Sequence, residues 1–228
     1  MPDFNGFSKE LPKYFQNLKK NNSKHWFEKH RNDYDEFVMS PARDFVVAMG
    51  NRLRKIAPGI NAIPKINQSL FKINRDVRFS KDKSPYKTNL GIWFWEGGRK
   101  RMECSGFYFH FEGQRLRFGT GFYMFPKNLL ARYRDAVVDK KLGPQLIKAV
   151  KTVSEKGYSV GGQHYKRVPQ GYDADHPRAE FLLYNGLHAM KEEKISPAFY
   201  SDALISHAYG HYKNMLPLHR WLLKATSE

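Results

Sequence analysis

Apolar and polar residues repeat with two different periods along this chain, and the change of period predicts its organisation. Near the start, apolar residues recur every three or four positions, as they do on the buried face of a helix. This spacing predicts three helices, over residues 8–20, 24–38 and 41–58. The same spacing returns later and predicts helices over residues 127–139, 144–156 and 201–224. The last of these is expected to break near Pro217, because proline lacks the backbone donor that a helix interior needs.

The middle of the chain alternates with a period of two and is rich in aromatic and β-branched residues. This pattern predicts four strands, over residues 66–79, 88–96, 105–112 and 114–124. Glycine at Gly113 suits a tight hairpin between the last two strands. Four strands in succession without an intervening helix favour an antiparallel meander.

We therefore expect an α+β fold in which an antiparallel sheet of about residues 66–124 is flanked by N-terminal and C-terminal helices. Residues 157–200 show no clear period and are interrupted by glycine and proline. No repeat or linker divides the chain, and we expect a single domain over residues 4–223.

The composition is that of a globular protein. Of 228 residues, 41% are hydrophobic and 15% aromatic, which is enough to form a core. Cys104 is the single cysteine, so neither an intramolecular disulfide nor a cysteine-rich zinc module can form. The N-terminal residues lack the apolar stretch of a signal peptide, and no run approaches the ~18 apolar residues of a membrane helix. A cytoplasmic protein with no membrane partner is expected.

The charge of the chain favours anionic partners. The formal net charge is +17, from 39 basic and 22 acidic residues. The excess is spread over the first 180 residues and is greatest in residues 61–120, with 12 basic and 5 acidic residues. Such a surface attracts nucleic acids and phosphorylated small molecules. A surface that is merely solubilising explains the charge equally well.

The segment from Lys72 to Lys87 holds the densest cluster of candidate binding residues. On a strand, Arg75 shares one face with apolar residues such as Ile73 and Val77. A guanidinium placed among apolar side chains needs an oppositely charged partner. Two interpretations stay open here, an internal pair with an Asp or Glu and a clamp for a ligand anion.

After Phe79 the alternation gives way to a polar loop with the composition of a phosphate-binding site. Arginine forks, lysine point charges and hydroxyl groups together suit phosphate recognition. We predict a ligand site formed by Arg75, Arg78, Ser80, Lys81, Lys83, Tyr86 and Lys87, with Tyr86 as a stacking surface. The glycine-rich loops of nucleotide-binding proteins are absent from the sequence.

Other residues are weaker candidates for chemistry. We consider Asp76 and Asp82 as groups that orient the basic residues or bind a metal or a substrate hydroxyl, and His110 as a general base. Tyr108 and His110 share a strand face with Glu112, which matters if that face opens toward the 80–87 loop. Secondary candidates for the same cleft are Tyr108, Arg117 and Arg167.

Two further groups are not assigned chemistry. His207 and His211 have the four-residue spacing of helical metal ligands, but packing explains them better and no metal site is predicted. Ser105 has no catalytic partner nearby in the sequence, which neither supports nor excludes a triad. No cofactor is identified.

The run from Arg75 to Thr88, RDVRFSKDKSPYKT, resembles the signature of the uncharacterised DUF2461 family. Further landmarks agree in order, namely Asn21-Asn22 with Trp26-Phe27, Gly106-Phe107-Tyr108 with His110, Gly119-Thr120-Gly121, Arg167-Val168-Pro169 with Gly171-Tyr172, and Trp221-Leu222. The resemblance covers about residues 4–223. The chain departs from it at Lys72 and Asn74, where the family usually has an arginine and an aromatic residue. It implies an α+β protein of unestablished activity and supplies no catalytic residues.

Three functions follow from these observations and stay open at this point. The first is binding of, or action on, a phosphate-bearing or other anionic small molecule through the 75–87 segment. The second is a nucleic-acid-binding module, supported by the charge and by basic residues interleaved with aromatic ones. The third is a structural protein in which Asp76 and Asp82 pair with the basic residues to hold the loop together.

Overall fold

A computed structural model describes residues 4–227 of the chain. It contains a six-stranded antiparallel sheet together with helices, which confirms the α+β class. The strands are β1 (Ile60–Asn61), β2 (Asn89–Glu96), β3 (Gly106–Glu112), β4 (Arg115–Phe122), β5 (Ser159–Gln163) and β6 (Tyr184–Lys194). They follow one another across the sheet in the order β1-β2-β3-β4-β6-β5.

Along the chain, the helices lie before β1, between β4 and β6, and after β6. The first group is α1 (Glu10–Lys20), α2 (Lys24–Lys29), α3 (Arg31–Tyr34) and α4 (Ser40–Leu53). The second group is α5 (Lys127–Val138), α6 (Leu142–Glu155), α7 (Ala179–Leu182) and α8 (Ala203–Ala225). None of the helices in residues 4–227 combines the length and the apolar character that a membrane span requires.

The predicted strand over residues 66–79 is wrong, although the other three strands are confirmed within two residues. The segment is irregular and makes only isolated bridges, which join Ile66 to Leu70, Leu70 to Ile92 and Asn74 to Tyr86. Its first part pairs with β2, and its second part pairs with residues 85–87. Neither pairing is long enough to form a strand.

Strands β5 and β6 were not predicted, because residues 157–200 lack a period of two. Both faces of β6 are partly buried, so its residues show no simple alternation of apolar and polar types. β5 contains Gly161 and Gly162, and the register between β5 and β6 shifts there. The glycines that suggested a loop are part of a strand that approaches its neighbour closely.

Three helix predictions need correction at their ends or in their interior. The helix expected over 24–38 is divided at His30 and ends in a π-helical turn, Asp35–Met39. The helix expected to end near Pro58 ends at Leu53. Helix α8 passes through Pro217 without a break, since buried residues on both sides, such as Met215 and Leu218, hold the helix in place.

The chain forms two compact units. The first consists of residues 4–94, 108–117 and 192–210. Its core is a cluster of phenylalanine rings whose centroids lie 4.8–6.0 Å apart. The rings belong to Phe7, Phe45, Phe109, Phe111 and Phe199. They anchor β3 in this unit and thereby fix which of its residues face away from the core.

The second unit consists of residues 95–107, 118–191 and 211–227. Phe107 and Phe118 of the sheet pack against Tyr212 of α8, and all three side chains are fully buried. At Gly121 the backbone φ is 107° and the carbonyl of Leu187 lies where a side chain would begin, so only glycine fits.

Candidate functional site

A cleft of ≈ 480 Å³ opens on the first unit, on the side of the sheet opposite its phenylalanine cluster. It is lined by Phe71, Arg75, Asp76, Lys87, Asn89, Gly91, Tyr108 and His110. Side chains alternate along a strand, so β3 sends Phe109 and Phe111 into the core while Tyr108 and His110 face the cleft. From the 80–87 loop, toward which this strand face was expected to open, Lys87 lines the cleft, and Arg75 joins it from the residues before the loop.

The wall of the cleft is formed by residues 71–87, which fold back on themselves without forming a regular hairpin. The amide of Arg75 donates to the carbonyl of Pro85 at 2.8 Å, and the amide of Lys87 donates to the carbonyl of Ile73 at 2.7 Å. These bonds bring Arg75 and Lys87, twelve positions apart in sequence, to the same cleft.

Tyr86 holds this wall in place and does not line the cleft. It is 7% exposed, and its ring stacks on Phe27 with a centroid distance of 4.3 Å. The side chain of Asn22 both donates to the carbonyl of Tyr86, at 2.9 Å, and accepts from its amide, at 3.1 Å. The role predicted for Tyr86, a stacking surface for a ligand, is therefore replaced by a supporting one.

Arg75 is paired within the chain and also lines the cleft. Its guanidinium donates to the carboxylate of Asp82, and a second nitrogen lies 3.4 Å from the hydroxyl of Ser80. Asp82 also accepts from the amide of Ser84 at 2.9 Å. Hydrogen bonds from Ser84 and then from Arg75 hold the pKa of Asp82 well below its usual range. The internal pair is present, and about a quarter of the Arg75 side chain stays exposed.

Lys87 brings a second cation to the cleft. Its ammonium donates to the carbonyl of Lys72 at 3.0 Å and lies 5.9 Å from the ring centroid of Phe71. A carbonyl acceptor positions the ammonium but does not cancel its charge. The aromatic ring also favours a cation at this position.

Residues Val77–Lys83, here called the basic arm, carry most of the other predicted ligand-binding residues. Arg78 is exposed and forms a bidentate pair with Asp76, at 3.0 and 2.7 Å, which lowers the pKa of Asp76. Lys83 donates to the carbonyl of Val77 at 3.0 Å, and Lys81 is exposed. The structure does not bring Arg78, Ser80, Lys81 or Lys83 to the cleft lining.

Tyr108 and His110 form a hydrogen-bonded pair on the floor of the cleft. The Tyr108 hydroxyl lies 2.9 Å from Nδ1 of His110. Burial raises the pKa of Tyr108 to about 12 and lowers the pKa of His110 below its usual value. On the far side of the ring, Nε2 of His110 lies 3.5 Å from the carboxylate of Glu112, too far for a well-formed hydrogen bond.

An ion-pair network lies behind this pair. Glu112 is 3.6 Å from Arg117, and Arg117 donates to Glu192 of β6 at 2.5 Å. Arg115 donates to the other oxygen of Glu192 at 2.7 Å. Arg117 is thus linked to His110 through Glu112 and is not itself part of the cleft lining.

Sequence reasoning missed Phe71, Asn89 and Gly91. A Cβ at Gly91 would lie 3.0 Å from the Tyr108 hydroxyl and 3.1 Å from the Phe71 ring, so a larger residue there would displace the side chains that line the cleft. A glycine in the interior of a strand is the signal that could have indicated it, because it marks a close approach.

The remaining candidates lie elsewhere. Arg167 is exposed in a loop of the second unit and does not line the cleft. His207 contacts Glu193 within the first unit. In the second unit, His211 stacks on Phe118 with a centroid distance of 4.4 Å.

A chain of hydrogen bonds that the sequence did not reveal lies in the second unit. Ser105 bonds to Nδ1 of His219 at 2.9 Å, and Nε2 of His219 bonds to Glu96 at 2.7 Å. The three residue types are those of a hydrolytic triad. Ser105 and His219 are both 0% exposed, so the arrangement is a buried structural network.

A family model described as "Conserved hypothetical protein (DUF2461)" matches residues 10–221, nearly the whole chain. No curated protein and no solved structure matches the chain.

Proposed function

The chain belongs to the DUF2461 family, whose members are described as conserved hypothetical proteins, and we propose from the cleft that it binds a small molecule that carries an oxyanion, either a phosphate or a carboxylate.

The convergence of Arg75 and Lys87 on one concave surface carries this proposal. Asn89 also lines the cleft, and its side-chain amide is a further, neutral hydrogen-bond donor. Oxyanions are recognised by such combinations of charged and neutral donors. Asp76 also lines the cleft and is a suitable acceptor for a hydroxyl of the same ligand.

The size of the cleft also suits a small ligand. Its ≈ 480 Å³ falls within the range of about 300–1,000 Å³ for small-molecule sites. Phe71 supplies an apolar surface beside the two cations, as binding sites usually combine apolar walls with a few polar groups.

Thermal shift with a panel of sugar phosphates, nucleotides and dicarboxylates tests this proposal. A ligand at about 100 times its Kd adds about 2.7 kcal/mol of stability. For a chain of this size that corresponds to a rise in Tm of about 5–10 °C. Lys87→Ala should abolish the rise. Lys83→Ala is the matched control, because Lys83 also donates to a backbone carbonyl but lies outside the cleft lining.

A panel that produces no shift in the wild type at low salt would contradict the proposal. So would a shift that is lost equally in both lysine variants, because that pattern indicates adhesion to the basic surface in general.

A specific observation also favours a second function, binding of single-stranded nucleic acid by the basic arm. Phe79 is 94% exposed, and the Arg78 guanidinium lies 5.7 Å from its ring centroid. Lys81 and Lys83 are exposed beside it. One ring is a sufficient platform for one base, and stacking contributes about 1–3 kcal/mol per base.

Fluorescence anisotropy with labelled oligothymidylate tests the second function. Phe79→Ala should weaken binding by about 5-fold to 150-fold at low salt, the equivalent of about 1–3 kcal/mol. Tyr123→Ala is the control, since Tyr123 is another exposed aromatic residue, at 79%, outside the basic arm. Equal affinities of the two variants would refute this function.

A further inference from the structure

We propose that the cleft takes up its oxyanion together with a proton, and that His110 is the residue that receives the proton. This inference rests on the function proposed for the cleft and identifies His110 as part of the ligand-binding machinery.

His110 is placed so that a ligand in the cleft can influence its protonation. The residue is 8% exposed and lines the cleft. One ring nitrogen, Nδ1, is engaged with Tyr108. The other, Nε2, is buried and makes no well-formed hydrogen bond within the described residues, with Glu112 at 3.5 Å. Because Nε2 is buried on the side of the ring that faces Glu112, an anion in the cleft acts on His110 through its charge and not through a bond to Nε2.

The charges around His110 do not by themselves favour its protonated form. On its own strand Glu112 favours the imidazolium, whereas Arg117 of β4 opposes it. Glu192 of β6 favours it, and Arg115 of β4 is bound to Glu192. The two carboxylates and the two guanidiniums cancel in formal charge and are all partly exposed to solvent, which screens them.

On the cleft side, the charged groups are Arg75, Lys87 and Asp76. Their excess of one positive charge also disfavours an imidazolium. Burial is therefore the largest influence on the ring, and it keeps the pKa of His110 below the usual value. Burial thus favours the neutral imidazole when no anion is bound.

An oxyanion in the cleft reverses this balance. It adds negative charge next to the ring, and a nearby opposite charge favours the protonated imidazole. Each unit by which the anion raises the pKa of His110 corresponds to a tenfold preference of the anion for the protonated protein. By linkage, the protein then takes up protons when the anion binds.

The hydrogen bond between Tyr108 and His110 provides the structural means. In the neutral imidazole one nitrogen accepts and the other donates. The carboxylate of Glu112 near Nε2 favours the proton on that nitrogen, so Nδ1 accepts from the Tyr108 hydroxyl. When His110 is protonated, Nδ1 becomes a donor to the Tyr108 oxygen. Tyr108 keeps its proton, and its hydroxyl no longer donates to His110, so it can donate a hydrogen bond to the oxyanion in the cleft.

Calorimetric titration with sulfate tests this coupling. Sulfate is the probe because it stays a dianion between about pH 5.5 and about pH 8, the range in which an ordinary imidazole titrates. Binding is measured at each pH in two buffers with different heats of ionisation. We expect a net uptake of up to one proton per sulfate. We also expect an affinity that rises as the pH falls, by up to about tenfold per pH unit.

His110→Gln removes the titrating group and keeps a polar side chain. This variant should bind sulfate more weakly through Lys87 and should show no proton uptake. The matched control is His188→Gln, since burial also lowers the pKa of His188. Its Nδ1 likewise makes no hydrogen bond within the described residues. His188 lies in the second unit and does not line the cleft, so its replacement should leave the proton uptake unchanged.

A nuclear magnetic resonance titration of the His110 ring in the wild type keeps the test independent of how well the variant folds. The pKa of His110 should rise when sulfate is added. Sulfate binding with equal heats in both buffers, or proton uptake that persists in His110→Gln, would overturn the coupling and leave the proposed function standing. A wild type that binds no sulfate at any pH, and no member of the ligand panel, would overturn both.

Discussion

Replacing His219 by alanine tests whether the buried Ser105–His219–Glu96 network stabilises the second unit. The imidazole is 0% exposed, joins Ser105 and Glu96 through bonds of 2.9 and 2.7 Å, and lies 4.6 Å from the Phe107 ring. Truncating a buried ring to alanine costs about 3–5 kcal/mol. The Ser105 hydroxyl, left without this partner, adds about 1 kcal/mol or more.

We therefore expect His219→Ala to lower the free energy of unfolding by about 4–6 kcal/mol, a large share of the about 5–15 kcal/mol typical of folded proteins. The Tm should fall by about 10–20 °C. Ser105→Ala removes one bond and little volume, so it should cost only about 1–2 kcal/mol.

Urea denaturation followed by tryptophan fluorescence measures these losses, because the chain has 4 tryptophans. An unchanged dependence of the free energy on urea shows that stability alone has changed. His25→Ala is the control, since His25 is exposed on α2. A loss of less than about 1 kcal/mol in His219→Ala would refute the reasoning, since no buried bond would then have been lost.

Three further outcomes are expected. Gly121→Ala should lower the free energy of unfolding, measured by thermal denaturation, by about 3 kcal/mol or more, because its φ is 107° and the new Cβ meets the carbonyl of Leu187 at 2.2 Å. Gly171→Ala, with a φ of 91° and open space around it, should lower it by only about 1–2 kcal/mol. Ultraviolet difference absorbance between the wild type and Tyr108→Phe should show one phenol titrating near pH 12, and a phenol titrating near pH 10 would contradict this. The stability gained by keeping Tyr108 neutral should be present below about pH 10 and lost as the pH rises toward 12. Asp82→Asn should speed amide hydrogen exchange in residues 76–84, because it weakens the acceptor that orders the loop, and unchanged exchange in this variant would contradict that role of Asp82. The wild type should lose the same protection only as the pH falls through the lowered pKa of Asp82.

The candidate site shows where sequence reasoning was sufficient and where it was not. Arg75, Lys87, Tyr108 and His110 were all named from the sequence, because charge and strand parity mark them. The predicted role of the whole 75–87 segment as a ligand clamp is not what the structure displays. Arg78 pairs with Asp76, and the other lysines lie outside the cleft lining. A list of basic residues cannot distinguish those that pair locally from those that face a cavity.

Taken alone, the sequence determined the α+β class, β2 to β4 and most helices. These depend on local periodicity, which each segment carries in its own residues. Only the tertiary structure decided that residues 71–87 form the wall of a cleft, that β5 and β6 complete the sheet, and that His219 reaches Ser105 across 114 positions. The pairing of a strand and the burial of a charge depend on residues distant in sequence, and their energies are settled only when those residues meet.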